Sequence, residues 1–306
     1  MDAYPSEAFN LSYTDSPPVL VAASSGAAMR RAEATVAASG LRLGAALPVE
    51  EALSRLKAQP SATAVWVELD RDCGDEMDAL LSQITLDVSR EFYGAVVSIT
   101  SGLVDPIVAR VDDAMVEVIV EADEIGRTAA LAVAVGRGRT RSNILEVGRD
   151  RSAERLRQLS EEVSRIASTL ARLSTGPSDN RPAVQQLPMT DLPPLSADTI
   201  RQIIRARRLR ARFFAEELFA DPAWDMMLDL LQAEIAQLRV PVSSLCIAAA
   251  VPATTALRWL KALVTQGLFI RRPDPHDGRR VYVELAADAS HALRSYFAEV
   301  GQAAVI

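Results

Sequence analysis

Thiols and imidazoles are scarce: 306 residues hold two cysteines, Cys73 and Cys246, and two histidines, His276 and His291. Cysteines so far apart build neither a disulfide framework nor a thiolate-rich metal centre. Two histidines leave little for metal ligation or imidazole acid–base work. No run approaches the ~20 consecutive apolar residues of a membrane span. The opening MDAYPSEAFNLSYTDSPP has neither a basic nor an apolar leader region. The expectation is a soluble, cytoplasmic chain with no membrane partner. Nucleophile–histidine arrangements are unsupported, and Gly136-Arg137-Gly138 lacks the third glycine and the strand-to-helix setting of a dinucleotide fingerprint. No enzyme activity, cofactor or metal is therefore expected.

What is present is size and uneven charge. With 49% apolar residues and roughly 100 to 200 residues per domain, two domains are expected. The net charge of -7 conceals -13 over residues 1–125, +4 over 126–195 and +2 over 196–306. Such asymmetry suits a chain in which one part avoids polyanions and another approaches them. The basic stretch Arg137 to Arg141 reads as a solvated domain-to-coil junction, with contact to DNA phosphate as the alternative.

Past a leader, residues 1–16, expected to be disordered, five apolar runs begin at Pro18, Leu41, Ala64, Ala95 and Val116. Helical patterns near 27–39, 48–58, 75–90, 103–112 and 124–136 separate and follow them. Regular βα alternation predicts a doubly wound, flavodoxin-like five-stranded parallel sheet over residues 17–140. Pro48 with Glu50 and Glu51 reads as a helix start.

Between 141 and 174 the period changes. Leu156, Leu159, Val163, Ile166, Leu170 and Leu173 are spaced 3, 4, 3, 4, 3, a heptad seam that predicts a dimerising coiled coil, hence a homodimer. A lone amphipathic helix packing on its own domain is the alternative. Residues 175–195 are proline-rich and aperiodic and read as a linker. Beyond them a long helix is expected from Ser196 to Ala220, then one capped by Asp221 with Pro222 at its first position. Trp224 and Trp259 sit at apolar helical positions and are expected in the core.

Residues 243–285 carry the chemistry. Ser243 is placed as the cap of a short helix that includes Ser244. A turn at Val251-Pro252 follows, then a second helix from Ala253 to about Gln266, stopped by Gly267. A hairpin closes the run, with Arg271 and Arg272 at its base and Arg279 and Arg280 at its tip. Helix, turn, helix, hairpin is the winged-helix order. At 100° per residue, with Thr254 at zero, Arg258 falls near 40°, Lys261 near -20° and Thr255 at about 100°, whereas Ala256, Leu260 and Leu263 fall between about 180° and 240°. One face is apolar and the other offers hydroxyls and cations. Thr254, Thr255 and Arg258 are placed at base edges and Lys261 at phosphate. The hairpin arginines suit the minor groove and its flanking phosphates. An ordinary solvated helix face is the bland alternative.

The run from Val242 to Leu285 resembles the winged helix of the multiple antibiotic resistance regulator (MarR) family. Thr255 to Leu263, Gly267-Leu268-Phe269 and Arg271-Arg272-Pro273-Asp274-Pro275-His276-Asp277-Gly278-Arg279 carry the resemblance. It covers about 45 residues closely and 196–306 loosely. It implies binding to double-stranded DNA as a dimer, a wing salt bridge between Asp277 and Arg279 that aims the arginine, and dimerisation through the first and last helices, the last offering Leu293 and Phe297. The chain departs from the family in carrying a whole domain and a coil in front. Any effector, protein or small molecule, is left open.

The front domain resembles a response-regulator receiver in length and element order. That family places acidic metal-holding residues after strand one, a phosphoacceptor Asp ending strand three, a Thr or Ser ending strand four and a Lys ending strand five. Here Ala22-Ala23-Ser24-Ser25 supplies no carboxylate, Glu68 aligns best with the acceptor and Asp70 follows it, Ser98 and Thr100 are kept, and Glu121-Ala122 replace the lysine. Without acids or lysine, phosphoryl transfer has nothing to offset its charge, so a degenerate receiver used for packing or partner binding is expected, with Glu68 a solvated strand-end carboxylate and a permanent partial mimic of the charged state as the alternative. The whole is α/β plus α+β: a receiver-like domain, a coiled-coil helix and a winged-helix domain over 196–306, together a homodimeric transcription regulator reading a palindromic site. A scaffolding protein whose winged helix contacts protein is the alternative, supported by the small +2 charge of its module. The regulator reading requires Thr254, Arg258 and Arg279 to face outward together.

Overall fold

The computed structural model describes residues 17–58, 62–111, 116–145 and 194–300. The leader, nearly all of the coil and linker segments, and the seam residues Leu156, Leu159, Val163, Ile166, Leu170 and Leu173 lie outside the described residues. Two compact units are formed. The first takes in the described residues up to Arg139 together with Pro252–Leu257 and Pro273–Val281. The second takes in those of Thr140–Val251, Arg258–Arg272 and Tyr282–Ile306.

Strands β1 (Val19–Ala23), β2 (Leu43–Pro48), β3 (Ala64–Leu69), β4 (Gly94–Ile99) and β5 (Val116–Val120) alternate with helices α1 (Gly26–Ala38), α2 (Val49–Ala58), α3 (Asp75–Ser89), α4 (Val104–Arg110) and α5 (Glu124–Leu145). The sheet is parallel throughout, in the order β2-β1-β3-β4-β5. Both faces are covered, which is why β1, β3 and β4 are apolar along nearly their whole length and buried throughout. Val19, Val21, Trp66 and Val96 meet Ala32 and Val36 of α1 and Ala130, Leu131 and Ala134 of α5 on one face. Leu20, Ala22 and Val65 turn to the other, towards Ala52 and Leu56 of α2. Ser25 caps α1 by accepting from the Ala28 amide at 3.0 Å. Pro48 ends β2 rather than opening α2; Glu50 and Glu51 do lie in the first turn of α2.

The approach of α5 to β4 depends on Gly94. A Cβ there would lie 1.9 Å from the Ala134 carbonyl oxygen, whereas one at Gly102 would meet nothing within 4 Å. Backbone cannot yield as a side-chain tip does, so Gly94→Ala is expected to lower stability by about 2–3 kcal/mol in urea unfolding. Gly102→Ala should change it by under about 0.5 kcal/mol.

In the rear part, α6 (Ala197–Leu209) starts at the Ser196 cap, which accepts from the Thr199 amide at 3.1 Å. It stops well short of the expected Ala220, giving way to 3-10 turns at Arg210–Arg212 and Glu216–Phe219. The reason lies in the stripe: Ile200 and Ile203 are buried, but their helical successors Arg207 and Arg210 are cations, so nothing holds further turns to a core. Helix α7 (Pro222–Ile235) has the expected Asp221 cap and leading proline. Helices α8 (Val242–Ala248) and α9 (Ala253–Thr265), strands β7 (Phe269–Pro273) and β8 (Val281–Leu285) and helix α10 (Ala287–Val300) follow. A short β6 (Val240–Pro241) pairs antiparallel with β8, giving the order β6-β8-β7. Among the described residues no single helix is long and apolar enough to cross a membrane.

Candidate nucleic-acid interface

Helices α8 and α9 meet at 108°, within the range of helix-turn-helix pairs. The bend is made at Ala250, which takes a φ of 53° while its amide donates to the Ile247 carbonyl at 3.3 Å. Ser243 lies inside the first turn of α8 and is not its cap; that position belongs to Pro241, which offers no side-chain acceptor. At the far end of α9, Gly267 has a φ of 72°, and the Leu268 amide reaches back to the Leu263 carbonyl at 2.9 Å. This Schellman-type closure needs the glycine, because a Cβ at that φ is strained.

The helix is two-faced as its sequence predicts. Ala256, Leu257, Leu260 and Leu263 are buried, Thr255 and Arg258 are exposed, and Thr254 and Lys261 are half-buried. Trp259 corrects one expectation: it is 41% exposed. Its wheel position, near 140°, borders the open face and is not within the apolar arc. Trp224 does pack, edge-on to Tyr296 at 5.1 Å and tilted against Phe297 at 6.2 Å.

Ser244 of α8 is exposed; on the hairpin Arg272 and Arg280 are exposed as well, while Arg271 and Arg279 are half-buried. Arg272 pairs across the hairpin with Glu284 at 2.7 Å. The expected Asp277–Arg279 salt bridge is not formed. Asp277 accepts the Arg279 backbone amide at 3.0 Å and pairs with the Arg280 side chain at 3.2 Å. In a turn the carboxylate at i faces the amide at i+2, which leaves the guanidinium at i+3 to fold over it. The Arg279 side chain instead reaches Asp72 at 2.6 Å and Asp78 at 3.3 Å, all within the first unit. Thr254 is also engaged there: its hydroxyl accepts from the Val120 amide at 2.8 Å and donates to the Val120 carbonyl at 3.3 Å. The joint outward arrangement expected of Thr254, Arg258 and Arg279 is not what forms: Arg258 is exposed, but Thr254 is bonded to the Val120 backbone and Arg279 to Asp72 and Asp78.

Leu293 and Phe297 of α10, expected at a dimer interface, are 5% and 7% exposed. Their side chains already serve the core of the second unit, so a partner could reach little of them. The exposed aromatic of that helix is Tyr296.

In the sheet domain Glu68 departs from the solvated strand-end carboxylate expected of it. Glu68 is 3% exposed and not solvated. Side chains two apart on a strand share a face, so Glu68 follows Trp66 towards α1 and α5. It accepts from Arg127 through both oxygens at 3.1 and 2.8 Å, from Arg31 at 3.1 Å and from the Trp66 indole at 2.9 Å. Arg127 also donates to Thr35 and to Ser98, each at 3.0 Å, and lies over the Trp66 ring at 5.0 Å. The carboxylate at the open lip is Asp70, bound by the Ser24 and Ser25 hydroxyls at 2.8 and 2.6 Å. The Ser25 bond, helped by Ser24 and Arg31 and opposed by partial burial, holds Asp70 below the ordinary carboxylate range. Glu121 closes on the Ser101 amide and hydroxyl at 3.1 and 2.8 Å, which lower its own value. The sequence reading does not single out Arg127; its only local signal is a cation directly before the small and apolar run Thr128-Ala129-Ala130-Leu131-Ala132-Val133. Among the described residues no group of His, Cys, Asp and Glu could hold a metal ion.

No family model and no curated protein matches this chain. Two solved structures are similar to part of it. The adhesin competence repressor AdcR from Streptococcus pyogenes is 19% identical, over 33% of this chain and 69% of its own, with a TM-score of 0.20. The transcriptional regulator Tm0710 from Thermotoga maritima is 19% identical, over 34% of this chain and 79% of its own, with a TM-score of 0.21.

Proposed function

We propose that the chain is a DNA-binding transcription regulator that reads its site with α9 in the major groove and the β7–β8 hairpin beside the minor groove. The observation that carries this reading is α9 itself. It is anchored by Ala256, Leu257, Leu260 and Leu263, leaves Thr255 and Arg258 solvent-exposed, and is set at 108° to its preceding helix. Thr254 and Lys261 flank the exposed pair, and Ser243, Ser244, Arg271, Arg272 and Arg280 extend the surface. Base edges take bidentate side chains and phosphates take point charges. Arg258 is therefore assigned to bases and Lys261 to backbone.

The front domain is read as receiver-like and flavodoxin-like, a reading supported by its parallel strand order β2-β1-β3-β4-β5. Phosphoryl transfer is not its work, because a guanidinium already neutralises the buried Glu68 and the residues after β1 are serines. It serves signal input or interaction and is non-enzymatic. The seam from Leu156 to Leu173 is assigned to homodimerisation. Two copies of α9 about one helical turn apart then require a palindromic site. Footprinting of genomic fragments with the full-length chain tests this. Inverted-repeat protections are expected, and protections without symmetry would remove the dimeric reading.

A second reading, a winged helix that contacts protein, is favoured by one observation: Arg279 is paired with carboxylates and Thr254 with backbone. Capture of a protein with no measurable affinity for DNA would select it.

A further inference from the structure

Asp72, Asp75 and Asp78 form an acidic lip at the loop after β3 and the first turn of α3. The lip is not vacant. The Arg279 guanidinium donates to Asp72 at 2.6 Å and to Asp78 at 3.3 Å, and Asp75 adds attraction at longer range. Asp78 also holds Arg110 of α4 at 2.9 Å, and Gly278 passes beside that arginine. A second attachment lies at β5, the last strand in the sheet order and therefore an open edge. There the Thr254 hydroxyl satisfies both the amide and the carbonyl of Val120. The two stretches involved, Pro252–Leu257 and Pro273–Val281, belong to the first unit, although the residues between and around them belong to the second.

Carboxylates arrayed around a guanidinium offer what a phosphate pair offers: anionic acceptors in a fork-matching geometry. We propose that the acidic lip and the β5 edge are an intramolecular docking site for the wing and the start of α9, and that they compete with nucleic acid for Arg279 and Thr254. The consequence for DNA rests on the regulator reading; the docking does not. The occupant is a named part of this chain, and the -13 charge of residues 1–125 gives the attraction its sign. DNA entry requires the lip to release the wing, so DNA affinity reports the balance between two anionic surfaces. A signal that neutralises the lip raises affinity without touching the DNA-reading face.

Hydrogen exchange and DNA binding on the full-length chain test this together. Asp72→Asn removes one negative charge and leaves the Asp78–Arg110 pair intact; Asp72→Asn with Asp78→Asn removes both charges that hold Arg279. Exchange at Val120 and at residues 274–280 is expected to rise about 3–10-fold in the single variant and further in the double. Affinity for a footprinted fragment is expected to rise by a similar factor, since partly exposed ion pairs are worth changes of that order. Arg279→Ala should free the wing equally but weaken DNA binding, because it removes the residue both surfaces use. Unchanged exchange in all three variants overturns the docking. Raised exchange with unchanged DNA affinity overturns the competition. Raised exchange with no DNA binding by any form, wild type included, supports the docking and removes the regulator reading instead.

Discussion

Glu68→Ala is expected to lower the stability of the first unit by about 3–5 kcal/mol, because it leaves the Arg127 guanidinium buried without its counter-charge. Arg127 is 8% and Glu68 3% exposed, so water cannot replace either partner. The double variant Glu68→Leu with Arg127→Leu removes both charges together, and its loss should be much smaller than that of the single change, since a buried pair roughly balances its own desolvation. Urea unfolding of the three forms measures the difference. A loss from Glu68→Ala below about 1 kcal/mol would mean that the carboxylate is solvated after all, and the reading of the front domain as a receiver that does not transfer phosphoryl groups would lose its physical basis.

Arg258→Ala and Lys261→Ala should differ in kind. A side chain that reads a base edge contributes about 1–3 kcal/mol of discrimination. Arg258→Ala should therefore cost about 5–150-fold at the best site and little at unrelated sequences, collapsing the preference. Lys261→Ala should weaken every site by a similar factor and make the salt dependence shallower by about one unit of slope. Competition binding with specific and scrambled duplexes separates the two. If both changes lower affinity uniformly, α9 is not lying with Arg258 against the bases.

The βα alternation was readable because each central strand is a short apolar run of a kind only a doubly covered sheet can bury, and the observed strands begin within two residues of those expected. The stripe of α9, the Gly267 stop and the Asp221 cap were readable for a similar reason: each depends on local spacing. What escaped depends on pairing across the chain. Glu68 looks like a strand-end acid until Arg127, 59 residues later, is seen to approach it. Asp277 looks like a partner for Arg279 until the turn gives its carboxylate to the backbone and Asp72 claims the guanidinium. Leu293 and Phe297 form an apolar face in either setting, and sequence alone does not say whether that face meets a partner or its own core. The helix from Ser196 was overextended because good helix formers continue past the point where the aliphatic stripe ends.

The most direct measurement is the affinity of the full-length protein for footprinted genomic fragments across a salt series. A regulator that places Lys261 and the hairpin arginines against phosphates releases counterions, so affinity should fall at least about tenfold between roughly 50 and 200 mM salt, linearly on logarithmic axes. Absence of binding at any salt concentration, or an affinity indifferent to salt, would contradict the assignment of α9 and its hairpin to DNA.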